Sequence, residues 1–240
     1  MNKKVVSKKN NSVLKKSKKS NSISSGGKKI YELFFHPKEF LKNVENEKWS
    51  VGILTYLALS LIAFLISMGI ALISISLNFE VILSFFAGLS LKLILNFVFA
   101  VLLAGLFYSG TRIFKSKGKY VDILKPVAYA LVIGVVYAII SSVILAFLPI
   151  DNSILENVQE AQDIEVLKLA YKQYIMQPGA LIAFILILIA LIHEFIFCSM
   201  GIARFHKLSQ GKAGASIILS IIGFIALMML ILSLLSIAIS

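Results

Sequence analysis

Five uncharged or nearly uncharged stretches, separated by short polar segments, dominate the pattern along the chain. Val51–Leu77 runs for 27 residues without a charge. As a helix it is about 40 Å long at 1.5 Å per residue, enough to cross a hydrocarbon core of roughly 30 Å with some tilt. Val81–Gly110 is 30 residues interrupted only by Lys92. The pattern places this span at Leu91–Thr111, with residues 81–90 as an interfacial lead-in. Pro126–Ile150, Gly179–Ala203 and Ala213–Ser240 each hold 25 residues or more. These stretches predict an all-α polytopic membrane protein with five transmembrane helices.

Two further segments are amphipathic. Between Ile30 and Trp49, apolar Phe34, Phe35, Phe40, Leu41 and Val44 alternate with charged Lys38, Lys42, Glu45 and Lys48. His36 and Pro37 suit a helix start, because Pro at the first helical position gives up an N–H that is unpaired there anyway. Trp49 sits where an interfacial aromatic anchor belongs. The expectation is an N-terminal amphipathic helix lying in the membrane interface. Between Asp151 and Gln177, Ser153-Ile-Leu-Glu156 fits a capping box, and Ile154, Val158, Leu167, Tyr171 and Tyr174 recur at roughly helical spacing. This predicts an acidic surface helix ended by Pro178.

Composition narrows the class. Hydrophobic residues make up 58% and charged residues 15%, against about 45–50% and roughly 25% in soluble domains. Cys198 is the single cysteine, which excludes disulfide scaffolds and cysteine-based zinc sites. Buried among apolar neighbours, it reads as a packing residue.

Charge then orients the spans. Of 24 Lys and Arg, 13 precede the first span, five lie in the 112–125 loop and three in the 204–212 loop. The opposite side has only Lys168 and Lys172, with Lys92 in or near the membrane. Retention of positive residues inside predicts a multi-pass cell-membrane protein with a cytoplasmic N-terminus and an external C-terminus. Residues 1–29 carry ten of the lysines, with no acid and no aromatic residue. They read as a disordered basic tail ahead of a membrane domain over 30–240. Lys3, Lys4, Lys8, Lys9, Lys15, Lys16, Lys18, Lys19, Lys28 and Lys29 are its expected contacts to anionic lipid at the cytoplasmic face. Without interleaved aromatics and tethered to a bilayer, the tail is not expected to bind nucleic acid.

Certain local patterns carry a resemblance. Phe34-Phe35-His36-Pro37-Lys38-Glu39-Phe40 leads to Trp49 just before the first span, and Tyr120–Leu131 opens the third. Gly201-Ile-Ala-Arg-x-His-x-Leu-Ser-x-Gly-Lys-Ala213 joins the fourth to the fifth. This order of features resembles the Yip (Ypt-interacting protein) domain family in its prokaryotic form. The resemblance implies a five-helix membrane domain with a cytosolic N-terminus. Eukaryotic members bind prenylated Rab GTPases and carry an Asp-Leu-Tyr-Gly-Pro tract before the first span. This chain has Asn46-Glu47-Lys48-Trp49-Ser50 there, so the Rab-related role is not carried over.

The candidate chemistry is sparse. His193 and Glu194 lie inside the fourth span, where ionisable groups cost roughly 2.5–3.5 kcal/mol and are functional candidates by default. A zinc protease needs a second His one turn later, and Phe197 occupies that place. Lys92 is too far along its helix to pair with Glu194, so the carboxyl is expected to be protonated and hydrogen-bonded to a neighbouring helix. Gly211-Lys212-Ala213 lacks the glycine and the Ser/Thr of a nucleotide loop. Ala130, Gly134, Ala138, Ser142 and Ala146, four apart on the third span, form a small-residue ridge suited to close helix packing or to a homo-oligomer. No catalytic residue, metal site or cofactor is expected. The function expected is that of a non-enzymatic membrane organiser or scaffold for membrane-protein partners. The alternative is a small transporter or ion- or proton-conducting protein using His193 and Glu194.

Overall fold

A computed structural model of the chain describes residues 22–72, 79–148 and 164–239. The helices among them are α1 (Ser22–Phe35), α2 (Pro37–Asn43), α3 (Trp49–Leu72), α4 (Phe79–Ile113), α5 (Tyr120–Phe147), α6 (Ile164–Ile175), α7 (Pro178–His206) and α8 (Gln210–Ile239). No strand occurs among the described residues. Five helices, α3, α4, α5, α7 and α8, are long and apolar enough to cross a membrane. They match the five spans read from the apolar stretches. The α4–α5 and α7–α8 connections, which hold most of the lysines and arginines between spans, lie at one end of the bundle, here called the basic end.

Helix α5 is the centre. It packs against α3, α4 and α7, and α8 closes the other side by packing on α4 and α7. Its start is set by Asp122, whose carboxylate accepts the Lys119 N–H at 2.9 Å, satisfying a donor that the helix leaves unpaired. Pro126 sits within the helix. Its pyrrolidine ring meets Gly201 of α7, where a Cβ would overlap the ring. Gly52 of α3 does the same service against Ala128 and Tyr129 at 3.3 Å, and Gly110 of α4 lies against the Ser216 carbonyl of α8. Three glycines thus bring three helices close to their neighbours, which is how helices gain dispersion contact in lipid, where apolar burial by itself drives little association. α7 stops where Lys207 turns left-handed, at φ 53°, and the Leu208 N–H returns to the Ala203 carbonyl at 3.0 Å.

The packing is uneven along the membrane normal. Near the basic end Ile123, Val127, Ile133, Ile202, Ala213 and Ile217 are buried. On α8, by contrast, every residue from 221 to 233 is exposed. Helix α8 therefore coheres with the bundle at one end and stands apart from it at the other.

Several boundaries differ from the sequence reading. α4 is one continuous helix from Phe79, not an interfacial lead-in followed by a span, because nothing in 81–90 breaks it. The N-terminal amphipathic segment is two helices, not one, and it docks on the bundle instead of resting in the interface by itself. Pro37 excludes His36 from the α region (φ −132°, ψ 55°) and splits α1 from α2. Helix α1 also begins at Ser22, so residues 22–29, read as disordered tail, are helical. Their charges are matched: Lys28 lies 3.8 Å from Glu32, and Lys29 lies 2.5 Å from Glu47. On the far side α6 covers Leu167, Tyr171 and Tyr174 of the predicted surface helix. Ser153, Glu156, Ile154 and Val158 lie outside the described residues.

Candidate functional site: Glu194 and the N-terminal clamp

His193 and Glu194 are neighbours on α7, so their side chains diverge by about 100°. Glu194 faces α5, where its Oε1 packs directly against Gly134, in the space a Cβ at that position would occupy. No hydrogen bond or ion pair to this carboxylate occurs among the described residues, which corrects the expectation of a hydrogen bond to the next helix: the partner there is a glycine Cα, which has no donor to offer. Lys92 does not reach it either, as expected; its ammonium stands over the Phe64 ring, 5.0 Å from the centroid.

Glu194 instead borders open space. A cavity of about 540 Å³ is lined by Tyr56, Phe99, Tyr137, Ala138, Leu191 and Glu194, among others. A second, of about 250 Å³, shares Phe99, Leu131, Leu191 and Glu194 and continues toward Cys198 and Ile217. The carboxylate stands in the wall common to both. Both lie between α4 and α7 over α5; Tyr56 of α3 borders the larger, and Ile217 and Ile221 of α8 border the smaller.

His193 turns toward α1. Phe34 meets its ring edge-on at 5.1 Å, and Tyr137 Oη lies 3.5 Å from Nδ1, at the long limit of a hydrogen bond. Phe34 is thus carried down beside the bundle to the level of the cavity. A clamp at the basic end holds it there. Arg204 donates from Nε and NH2 to Glu45 Oε2, at 3.1 and 2.5 Å, while Lys125 Nζ donates to the Glu45 carbonyl at 2.8 Å. Tyr129 Oη donates to Glu47 Oε2 at 2.8 Å, and Lys29 pairs with the other oxygen. Beneath the clamp Leu33, Phe40, Leu41 and Val44 are all at most 2% exposed.

The small-residue ridge is divided among several duties. Ala130 packs into the core, Gly134 receives Glu194, Ala138 lines the larger cavity, and Ser142 Oγ lies 3.1 Å from Ser67 Oγ of α3. Ala146 is exposed. Of the lysines expected to meet lipid, Lys28 and Lys29 are engaged with acids, and Lys3 to Lys19 lie outside the described residues. Cys198 is buried, as read. Among the described residues no three His, Cys, Asp or Glu side chains gather as a metal site would require.

The family model of the Yip1 domain matches residues 31–234. The chain belongs to the Yip1 domain family. That range takes in the last five residues of α1, all of α2 and all five spans, so α2 lies within the Yip1 domain. Comparison with curated proteins and with solved structures gave no match.

Sequence reading missed Tyr56, Tyr137 and Phe34 as neighbours of the His193–Glu194 pair, and Glu45, Glu47, Arg204 and Tyr129 as a clamp. A signal was present for the second group. Glu45 and Glu47, two acids close together in a chain with twice as many basic as acidic residues, need partners, and Arg204 lies at the same end of the bundle.

Proposed function

We propose that this Yip1-family protein is a non-enzymatic organiser of the membrane, inserted with its N-terminus in the cytoplasm. The supporting observation is the placement of α1 and α2. They add two helices to the basic half of the bundle, with Tyr31 and Phe35 exposed on their outer side (55% and 68%). In a cell membrane, these aromatic side chains would occupy the cytoplasmic leaflet. The basic tail ahead of them would gather anionic lipid, each lysine near the surface contributing about 1 kcal/mol within a Debye length of about 8 Å. Extra bulk and extra charge on one leaflet are what shape or mark a membrane patch, and a partner scaffold would use the same surface.

Orientation is tested with single cysteines. Lys117→Cys and Ser209→Cys, both in exposed basic-end loops, should resist an impermeant thiol reagent on intact cells, whereas Lys168→Cys on α6 should react. Cys198 is buried and gives no background. Labelling of Lys117→Cys from outside would invert the topology and remove the basis for a cytoplasmic tail.

Function is tested in proteoliposomes imaged by cryo-electron microscopy. With anionic lipid present, vesicles holding the full chain should be smaller or more tubular than those holding a chain that lacks residues 1–43, and high salt should narrow the difference. Identical vesicle shapes would refute the organiser reading. A proton-coupled flux abolished by Glu194→Gln would put the transport reading in its place.

A further inference from the structure

We propose that the cavity at Glu194 is a binding site for a single-chain amphiphile bearing a protonated amine, with the ammonium on the Glu194 carboxylate and the alkyl chain in the gap between α4 and α7. A carboxyl in an apolar wall with no cation beside it is held in its neutral form by desolvation, and it ionises there only if a base takes its proton and stays as the compensating cation. The protein supplies none here: Lys92 is over Phe64, and the three ion pairs among the described residues all involve α1 or the clamp. What the protein does supply is room. A volume near 540 Å³ is in the range of pockets that enclose small organic ligands. Its walls are those such a ligand needs: Phe99, Leu131, Ile187 and Leu191 for a chain, with Tyr56 beside Glu194 for a polar head. Gly134 matters because any side chain at that place would push the carboxylate from the wall.

A route exists as well. Leu191 and Ile187, both in the wall of the larger cavity, are more than half exposed, so that cavity opens sideways toward lipid. An amphiphile dissolved in the bilayer reaches the site without crossing water. A fatty acid or an alkanol has no basic nitrogen to take the Glu194 proton, so neither forms the ion pair there.

The test uses the full chain in neutral-lipid nanodiscs, with dodecylamine, dodecanol and dodecanoate as probes. Binding is read by native mass spectrometry and by the rise in unfolding temperature. Dodecylamine should bind wild type at least tenfold more tightly than Glu194→Gln, and more tightly than either other probe. Ala138→Leu keeps the carboxylate but fills the cavity, and it should weaken dodecylamine as much while leaving the unliganded unfolding temperature close to wild type. Equal dodecylamine binding in wild type and Glu194→Gln would overturn the proposal. So would equal binding of amine and alcohol, or an Ala138→Leu variant that folds and binds normally.

Discussion

Phe40→Ala should release α1 and α2 from the bundle while leaving the five spans assembled. Phe40 is 2% exposed and meets Tyr129 edge-on at 4.8 Å and Phe197 at 6.0 Å. Truncating a buried Phe costs about 3–5 kcal/mol in a water-soluble core. The value here should fall toward the lower end, because an undocked α1–α2 pair reaches lipid, which solvates apolar surface nearly as well as the protein does. What is lost is chiefly close packing and ring geometry. The Arg204–Glu45 pair, with both side chains at least 37% exposed, is worth about 1 kcal/mol or less. Arg204→Ala should therefore loosen the clamp far less than Phe40→Ala. Tryptic cleavage at Lys38, Lys42 and Lys48 in detergent measures both. If Arg204→Ala exposes those sites as fully as Phe40→Ala, charge and not packing holds the N-terminal helices.

A second large effect is expected at Gly110. A Cβ there would fall on the Ser216 carbonyl and the Ser220 hydroxyl of α8. A backbone carbonyl cannot rotate away as a side chain can, so Gly110→Leu must separate α4 from α8. Overpacking of this kind costs about 1–3 kcal/mol, and more where the obstacle is backbone. Gly88 on the same helix has nothing within 4 Å of the corresponding position. Gly88→Leu is the matched control and should leave the unfolding temperature near wild type. Equal destabilisation by both would mean that helix propensity, not the α4–α8 approach, decides the outcome.

The spans were legible in the sequence because the bilayer imposes one requirement, a long apolar run, and five runs satisfied it. The Yip1 resemblance was legible from the order of short motifs. The docking of α1 and α2 was not, since an amphipathic pattern has the same form whether its apolar face meets lipid or protein. The difference lay in Glu45 and Glu47, whose partners Arg204 and Tyr129 are distant in sequence. Of the site, His193 and Glu194 stood out as costly residues in an apolar run. Their surroundings did not, because helix rotation decides what each faces. A ridge of five small residues could be read, yet only Gly134 among them meets a charged group.

The unequal cohesion of the bundle has a mechanical consequence. At the basic end glycines hold backbones against one another, so the spacing of the helices there is a property of the protein. At the other end α8 stands apart from residue 221 onward, and its spacing from the other helices is left to the surrounding acyl chains, while Gly179 still sets α7 against the Leu148 carbonyl at the end of α5. Lateral pressure in that leaflet bears on a compliant structure, while the same pressure in the opposite leaflet meets a stiff one. A bilayer under tension, or one with thinner or more disordered tails, would shift the far end of α8 and widen the smaller cavity, which Ile221 borders, without disturbing the clamp. The domain would then respond to the physical state of one leaflet and not the other.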